Sequence, residues 1–119
     1  MATVLLVDDS RTSRMIVGRA VKKLGHEIVG EAENGEIGFE MYKELKPNLV
    51  LSDVEMPILD GHGMVKKIIE FDSKALIVMV TSVVNAQFLH QIIGEGAKHA
   101  IKKPVNEAKL QKMFDLLEA

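Results

Sequence analysis

Short, uninterrupted apolar runs alternate along the chain with longer segments of helical periodicity, and this alternation constrains the fold more than any other feature. Three of the runs contain only Val, Ile, Leu and Met: Val4–Val7, Leu49–Leu51 and Leu76–Val80. Strands that are apolar without alternation are typical of a parallel sheet covered by helices on both faces. Two weaker runs, Ile28–Ala32 and Ala100–Ile101, are predicted to be the edge strands.

The segments between these runs have the length and spacing of amphipathic helices. Ser10 is predicted to cap the first helix and Gly25 to end it. The second runs from Gly35 to Leu45 and stops before Pro47. Three further helices follow from apolar residues spaced three and four apart: Met64, Val65, Ile68 and Ile69; Phe88, Leu89, Ile92 and Ile93; Leu110, Met113, Phe114 and Leu117. Five βα units predict an α/β, doubly wound fold around a five-stranded parallel sheet with right-handed crossovers. A flavodoxin-like (βα)5 fold, with the strand order 2-1-3-4-5, is a common form of this architecture and is the arrangement we expect.

Composition and length narrow the class of protein. The 119 residues suit a single domain covering residues 1–119, and 47% hydrophobic with 27% charged residues is typical of a globular protein. The chain has no cysteine, which excludes disulfides and thiolate chemistry and fits a cytoplasmic location. No signal peptide and no membrane-spanning stretch are predicted. A net charge of −2, with scattered lysine pairs, predicts no nucleic-acid partner.

Acidic residues follow two of the predicted strands. Asp8 and Asp9 come directly after the first, and Asp53 comes after the third. Ligands of open α/β sheets bind beyond the carboxyl ends of the strands, and strands one and three are neighbours in the predicted order. Three carboxylates in one crevice would repel each other unless a hard divalent cation such as Mg²⁺ lay between them. One carboxylate is then available to attack phosphorus and form an acyl phosphate.

Residues suited to binding a phosphoryl group end the fourth and fifth strands. Lys103 offers a cation and Thr81 a hydroxyl donor, so that positioning and charge neutralisation would supply most of the catalysis. Each residue also has a simpler interpretation: Asp9 as a helix cap, a lone Asp or Lys-Pro as a turn, and Thr81 as an ordinary strand residue. The joint placement of these residues at four strand ends favours the functional interpretation.

The sequence resembles the receiver domains of response regulators in two-component signalling, over essentially its whole length. Five segments carry the resemblance, in order and at the spacing of the family: Val4–Ser10, Asp53–Gly61, Thr81-Ser82, Gly94–Ala97 and Lys102–Pro104. Any one of these motifs is weak alone, and their combination is specific.

The resemblance implies a phosphoacceptor and a metal site. Asp53 would accept the phosphoryl group. The Mg²⁺ ligands would be Asp8, Asp9, Asp53 and the backbone carbonyl of Glu55. Asp9 would be the principal carboxylate, and Asp8 would act mainly through a metal-bound water.

The resemblance also implies how the rest of the site is built. Thr81 and Lys103 would bind the phosphoryl oxygens, and the bond between Lys103 and Pro104 would be cis. Pro57, Gly61 and Pro104 would be structural residues of the site.

A regulatory role follows from the same resemblance. The donor would be a phosphohistidine on a histidine kinase or phosphotransfer domain, and a downstream target protein would read the modified state. The family's common aromatic switch residue is replaced by Ala100, the usual aromatic after Lys-Pro is replaced by Val105, and Glu55 occupies a variable position over the site. Chemotaxis-type output and use as a phosphorelay intermediate or phosphate sink both stay open, and Ala100 slightly favours the second.

Two other classes of protein compete with this interpretation. The Asp53–Glu55 segment faintly resembles the motif of a phosphatase or phosphotransferase with an aspartyl-phosphate intermediate, but the second acidic residue of that motif is Asp, where this chain has Glu55. A flavodoxin-like nucleotide-binding module would need a glycine- or hydroxyl-rich loop after the first strand, where Asp8 and Asp9 stand instead. The four histidines show no metal-ligand spacing and are assigned no role.

Overall fold

A parallel sheet with helices on both faces forms the molecule. The computed structural model describes residues 1–82 and 85–118. Its strands are β1 (Thr3–Val7), β2 (Glu27–Ala32), β3 (Leu49–Ser52), β4 (Ile77–Thr81) and β5 (His99–Lys102). Its helices are α1 (Arg11–Lys23), α2 (Gly35–Leu45), α3 (Gly61–Phe71), α4 (Ala86–Gly94) and α5 (Glu107–Glu118). The strand order β2-β1-β3-β4-β5 confirms the predicted topology.

The register of the sheet brings the carboxyl ends of the central strands to one edge. Val7, the last residue of β1, lies opposite Ala32 on β2 and Ser52 on β3. Thr81, at the end of β4, lies opposite Lys102 on β5. The residues that follow these strands therefore emerge side by side.

Burial on both faces explains the uninterrupted apolar runs. In β1, Val4 and Leu6 pack into one core cluster, and Leu5 and Val7 pack into the cluster on the opposite face. All four are no more than 2% exposed. Each such side chain contributes roughly 1.5–3 kcal/mol by leaving water, so an alternating polar residue would be costly on either face. The weaker runs form the edge strands β2 and β5, as predicted.

Side-chain caps fix where the helices begin. The Ser10 hydroxyl accepts a hydrogen bond from the Ser13 amide at 3.2 Å and caps α1, as predicted. The alternative in which Asp9 caps this helix is therefore wrong. Gly25, with φ of +90°, follows the end of α1 in the left-handed conformation that glycine tolerates. None of the described helices is both long and apolar enough to cross a membrane.

A buried tyrosine joins α2 to the end of α3. The Tyr42 hydroxyl donates a hydrogen bond to a carboxylate oxygen of Asp72 at 2.8 Å, and the Tyr42 ring meets the edge of the Phe71 ring. Burial, together with the hydrogen bond to Asp72 and the charge of that carboxylate, raises the pKa of Tyr42 to about 12. The folded protein therefore holds the phenolic proton more tightly than the unfolded chain does.

This difference gives a testable pH dependence. The raised pKa of Tyr42 contributes to the free energy of unfolding, because the folded state binds the phenolic proton more tightly. This contribution is complete below the unfolded pKa of about 10 and is lost as the pH rises to about 12. We expect Tyr42→Phe to lower the free energy of unfolding by about 1 kcal/mol at neutral pH and to flatten its decline between these pH values. Urea denaturation at a series of pH values measures both. If the free energies of unfolding of the wild type and of Tyr42→Phe declined in parallel with pH, the raised pKa of Tyr42 would be contradicted.

Candidate functional site

Three aspartates converge at the carboxyl edge of the sheet. Asp8 follows β1 and is buried, Asp9 is exposed, and Asp53 follows β3 and is half-buried. One carboxylate oxygen from each lies within 4.8 Å of the other two. The Asp53 amide donates to the carbonyl of Val7 at 2.8 Å, so the pairing of β1 with β3 continues into the site. The predicted meeting of these residues is confirmed.

Lys103 completes the charged cluster from the end of β5. Its ammonium nitrogen Nζ lies 3.2 Å from an oxygen of Asp8 and 3.3 Å from an oxygen of Asp53. The peptide bond from Lys103 to Pro104 is cis, as predicted. Beside the cluster lies an open cavity of about 450 Å³, lined by Asp9, Asp53, Glu55, Met56, Pro57, Thr81, Ser82 and Lys103.

The electrostatics of the cluster follow from burial and crowding. Burial raises the pKa of Asp53, and the nearby Asp8 adds to this, although attraction to Lys103 and a hydrogen bond from the Val54 amide act in the opposite direction. Burial alone would lower the pKa of Lys103, but the carboxylates of Asp53 and Asp8 outweigh it and the pKa is raised. Lys103 is thus held as a cation. One cation does not balance three carboxylates, and a set of oxygen donors with excess negative charge fits Mg²⁺.

Glycine allows the loop after β3 to close tightly around the phosphoacceptor candidate. The Gly61 amide donates to the carbonyl of Val54 at 2.8 Å. A Cβ atom at position 61 would lie only 2.3 Å from the backbone oxygen of Asp53 and 2.7 Å from the terminal methyl of Met79. The side-chain volume of any other residue therefore conflicts with this approach, which agrees with the structural role predicted for Gly61.

The same loop carries a strained residue next to the cavity. Ile58 has φ of +69° and is 77% exposed. A β-branched side chain is an outlier in this left-handed region. Leu59, the next residue, accepts a hydrogen bond from the Gly35 amide at 2.7 Å, which ties the loop to the start of α2.

The remaining predicted residues are placed as follows. Glu55, Pro57 and Thr81 line the cavity. Thr81 is buried, whereas Glu55 is exposed at the rim. Ala100 lies outside the cavity, on β5 opposite Met79, and packs against the core cluster on the α2–α3 side of the sheet.

One polar contact beside the aspartate cluster was missed by sequence reasoning. The guanidinium of Arg14 on α1 donates a hydrogen bond to the backbone carbonyl of Asp8. The only hint in the sequence is a basic residue in the second turn of a helix that follows the acidic pair directly. That hint does not distinguish a buried contact from a solvated face.

Comparisons with known proteins identify the class. Residues 4–115 match the family described as the response regulator receiver domain. The chain is 36% identical over 107 residues to the chemotaxis protein CheY of Thermotoga maritima, covering 90% of this chain and 89% of that protein. It is 40% identical over 117 residues to the chemotaxis protein CheY of Halobacterium salinarum, covering 98% and 97% of the two chains.

A solved structure agrees with these relatives. A chain in the crystal structure of the CheX-CheY-BeF3-Mg+2 complex from Borrelia burgdorferi superposes with a TM-score of 0.95 at 28% identity, covering 98% of this chain and 89% of that one. The chain therefore belongs to the response regulator receiver domain family. The two CheY relatives are matched over 89% and 97% of their own length, and both carry the name of a chemotaxis protein.

Proposed function

We propose that this chain is a phosphoacceptor switch of a two-component system, in which Asp53 takes a phosphoryl group from a phosphohistidine. The observation that carries the proposal is the cluster of Asp8, Asp9 and Asp53, with oxygens within 4.8 Å and with Lys103 bridging two of them. Isolated acidic residues at strand ends would have no reason to share the ammonium group of Lys103. This arrangement concentrates negative charge beside a cavity that has room for a phosphoryl group.

The donor set fits a magnesium ion. Asp8, Asp9 and Asp53, with the backbone carbonyl of Glu55, would hold it, since all offer the oxygen atoms that Mg²⁺ prefers. When bound, Mg²⁺ would neutralise phosphoryl and carboxylate charge together. The presence of Mg+2 and BeF3 in the complex of the Borrelia burgdorferi protein supports this assignment.

The side chains around Asp53 have distinct tasks in the proposed transfer. One Asp53 oxygen is held by the Val54 amide at 2.8 Å, and the other faces Lys103. As an Asp53 oxygen bonds to phosphorus, the bond from phosphorus to the donor imidazole nitrogen breaks. The Lys103 ammonium and the Thr81 hydroxyl then bind phosphoryl oxygens at the cavity wall, which stabilises charge where it develops.

Phosphorylation by a small acyl phosphate tests the proposal. We expect Mg²⁺ and the acyl phosphate together to add one phosphoryl group per chain, seen in intact mass, and neither to do so alone. A parallel screen with small phosphate esters distinguishes a switch from a phosphatase. Sustained release of phosphate from those esters, without a single stable modification, would contradict the proposal.

The donor and the target are proteins in this proposal. The relatives named as chemotaxis proteins support a chemotaxis-type output, whereas the small residue Ala100 on β5 supports use as a phosphorelay intermediate or phosphate sink. Phosphotransfer profiling against the histidine kinases and phosphotransfer domains of the host separates the two. Fast reversible exchange with one phosphotransfer domain favours the relay, and one-way transfer from a kinase favours the output role.

A further inference from the structure

Arg14 contacts the backbone of the acidic pair without belonging to the metal or phosphoryl site. Its Nη1 donates a hydrogen bond to the carbonyl of Asp8, and its Nε lies 3.1 Å from a carboxylate oxygen of Glu31 on β2. The Arg14 side chain is 16% exposed and that of Glu31 is 52% exposed. A half-exposed ion pair of this kind contributes little to stability, so stability alone gives no reason for the arrangement.

The Asp8–Asp9 peptide links the hydrogen bond made by Arg14 to the backbone of Asp9. A peptide group is planar, so fixing the direction of the Asp8 carbonyl also fixes the direction in which the chain enters Asp9. The other polar groups of Asp8 are already fixed: its amide donates to Ala32 at 2.9 Å, one carboxylate oxygen accepts from the Ser10 amide at 2.9 Å, and the other faces Lys103. Asp9 itself is exposed, and the peptide that it shares with Asp8 is the part of its backbone that the Arg14 hydrogen bond contacts.

We propose that Arg14 is a positioning residue, which aims the Asp9 carboxylate at the metal site by holding the Asp8 carbonyl, with Glu31 anchoring the guanidinium. The planar fork of arginine suits this task, because its nitrogens bind the carbonyl and the carboxylate at the same time. That Asp9 faces a metal ion rests on the function proposed above, whereas the ordering of Asp9 by Arg14 is a property of the metal-free protein.

Charge and positioning predict opposite effects when the guanidinium is removed. On Coulomb's law alone, loss of a cation near a site for a dication strengthens Mg²⁺ binding. Loss of positioning weakens it, and residues that orient metal ligands typically change metal affinity by about 10- to 100-fold. The direction of the change in Arg14→Ala therefore separates the two.

The experiment measures the metal-free and metal-bound protein separately. In the metal-free protein, we expect the NMR order parameter of the Asp9 amide to fall from about 0.85 in the wild type to below about 0.6 in Arg14→Ala. Calorimetric titration with Mg²⁺ alone should show binding weakened about 10-fold. Arg14→Lys keeps the charge without the fork and should weaken binding by less. Arg19→Ala, an exposed basic residue on the same helix, is the matched control and should bind Mg²⁺ as the wild type does.

Two outcomes would overturn the inference: unchanged or tighter Mg²⁺ binding in Arg14→Ala with an ordered Asp9 amide, or equal weakening in Arg19→Ala. If Arg14→Ala does not fold, Glu31→Ala removes the anchoring oxygen from an exposed position, and an Asp9 amide as ordered as in the wild type would then overturn the inference. Failure of the proposed function would appear differently, as a wild-type chain that acyl phosphate does not modify.

Discussion

Asp53→Asn is expected to abolish modification by acyl phosphate and Mg²⁺ completely. Asparagine keeps the shape of the side chain and an oxygen for the Val54 amide, which holds the Asp53 carboxylate at 2.8 Å. It lacks the anionic oxygen that would attack phosphorus in the proposed transfer, and an amide is not a useful nucleophile. The fold should be retained, because the substitution removes a crowded negative charge rather than a packing contact.

Intact mass after incubation measures this prediction. Asp115→Asn is the matched control, because Asp115 is exposed on α5, away from the aspartate cluster, and should leave modification as in the wild type. Modification of Asp53→Asn to the extent of the wild type would place the phosphoacceptor elsewhere.

Asp9→Ala is expected to weaken Mg²⁺ binding by about 100-fold or more. Asp9 is the most exposed carboxylate of the cluster, and in the proposed site its loss would remove a direct ligand rather than a residue that orients one. The fold should survive, since Ser10 and not Asp9 caps α1. The metal-free variant should be at least as stable as the wild type, because one of three mutually repelling carboxylates is gone.

Thermal unfolding with and without Mg²⁺ complements calorimetry here. At Mg²⁺ concentrations of 100 times the dissociation constant, binding stabilises the wild type by about 2.7 kcal/mol. Asp9→Ala should show almost none of this gain at the same concentration. Asp115→Ala serves as the control and should keep the full gain; equal stabilisation of all three proteins by Mg²⁺ would contradict a metal site at Asp9.

Much of the fold was predictable because burial restricts which residue types occur at a position. Strands β1, β3 and β4 are covered on both faces, so their residues are apolar without alternation. The predicted ends of α1 and α2 hold because Ser10, Gly25 and Pro47 have strong local preferences. The meeting of Asp8 with Asp53 followed from the expected flavodoxin-like strand order, since parallel neighbours end at the same edge.

Other features depend on contacts between distant segments, and no pattern in the sequence indicates them. The hydrogen bond from Tyr42 to Asp72 joins α2 to the residue that follows α3. The hydrogen bond from Arg14 to the Asp8 carbonyl needs both the start of α1 and the end of β1 in place. The left-handed conformation of Ile58 opposes its local preference, so only the surrounding loop can impose it. Sequence periodicity predicts which face a residue occupies, and it does not predict which polar atom that residue meets.

The central claim is that Asp53, in a cluster completed by Mg²⁺, is the residue that carries the phosphoryl group. Reduction of the modified protein with borohydride converts an aspartyl phosphate to homoserine, and peptide mass mapping then locates the residue. We expect a single homoserine at position 53, formed only when Mg²⁺ was present and absent after chelation with EDTA. Homoserine at any other aspartate, or an equal yield at position 53 without Mg²⁺, would contradict the account.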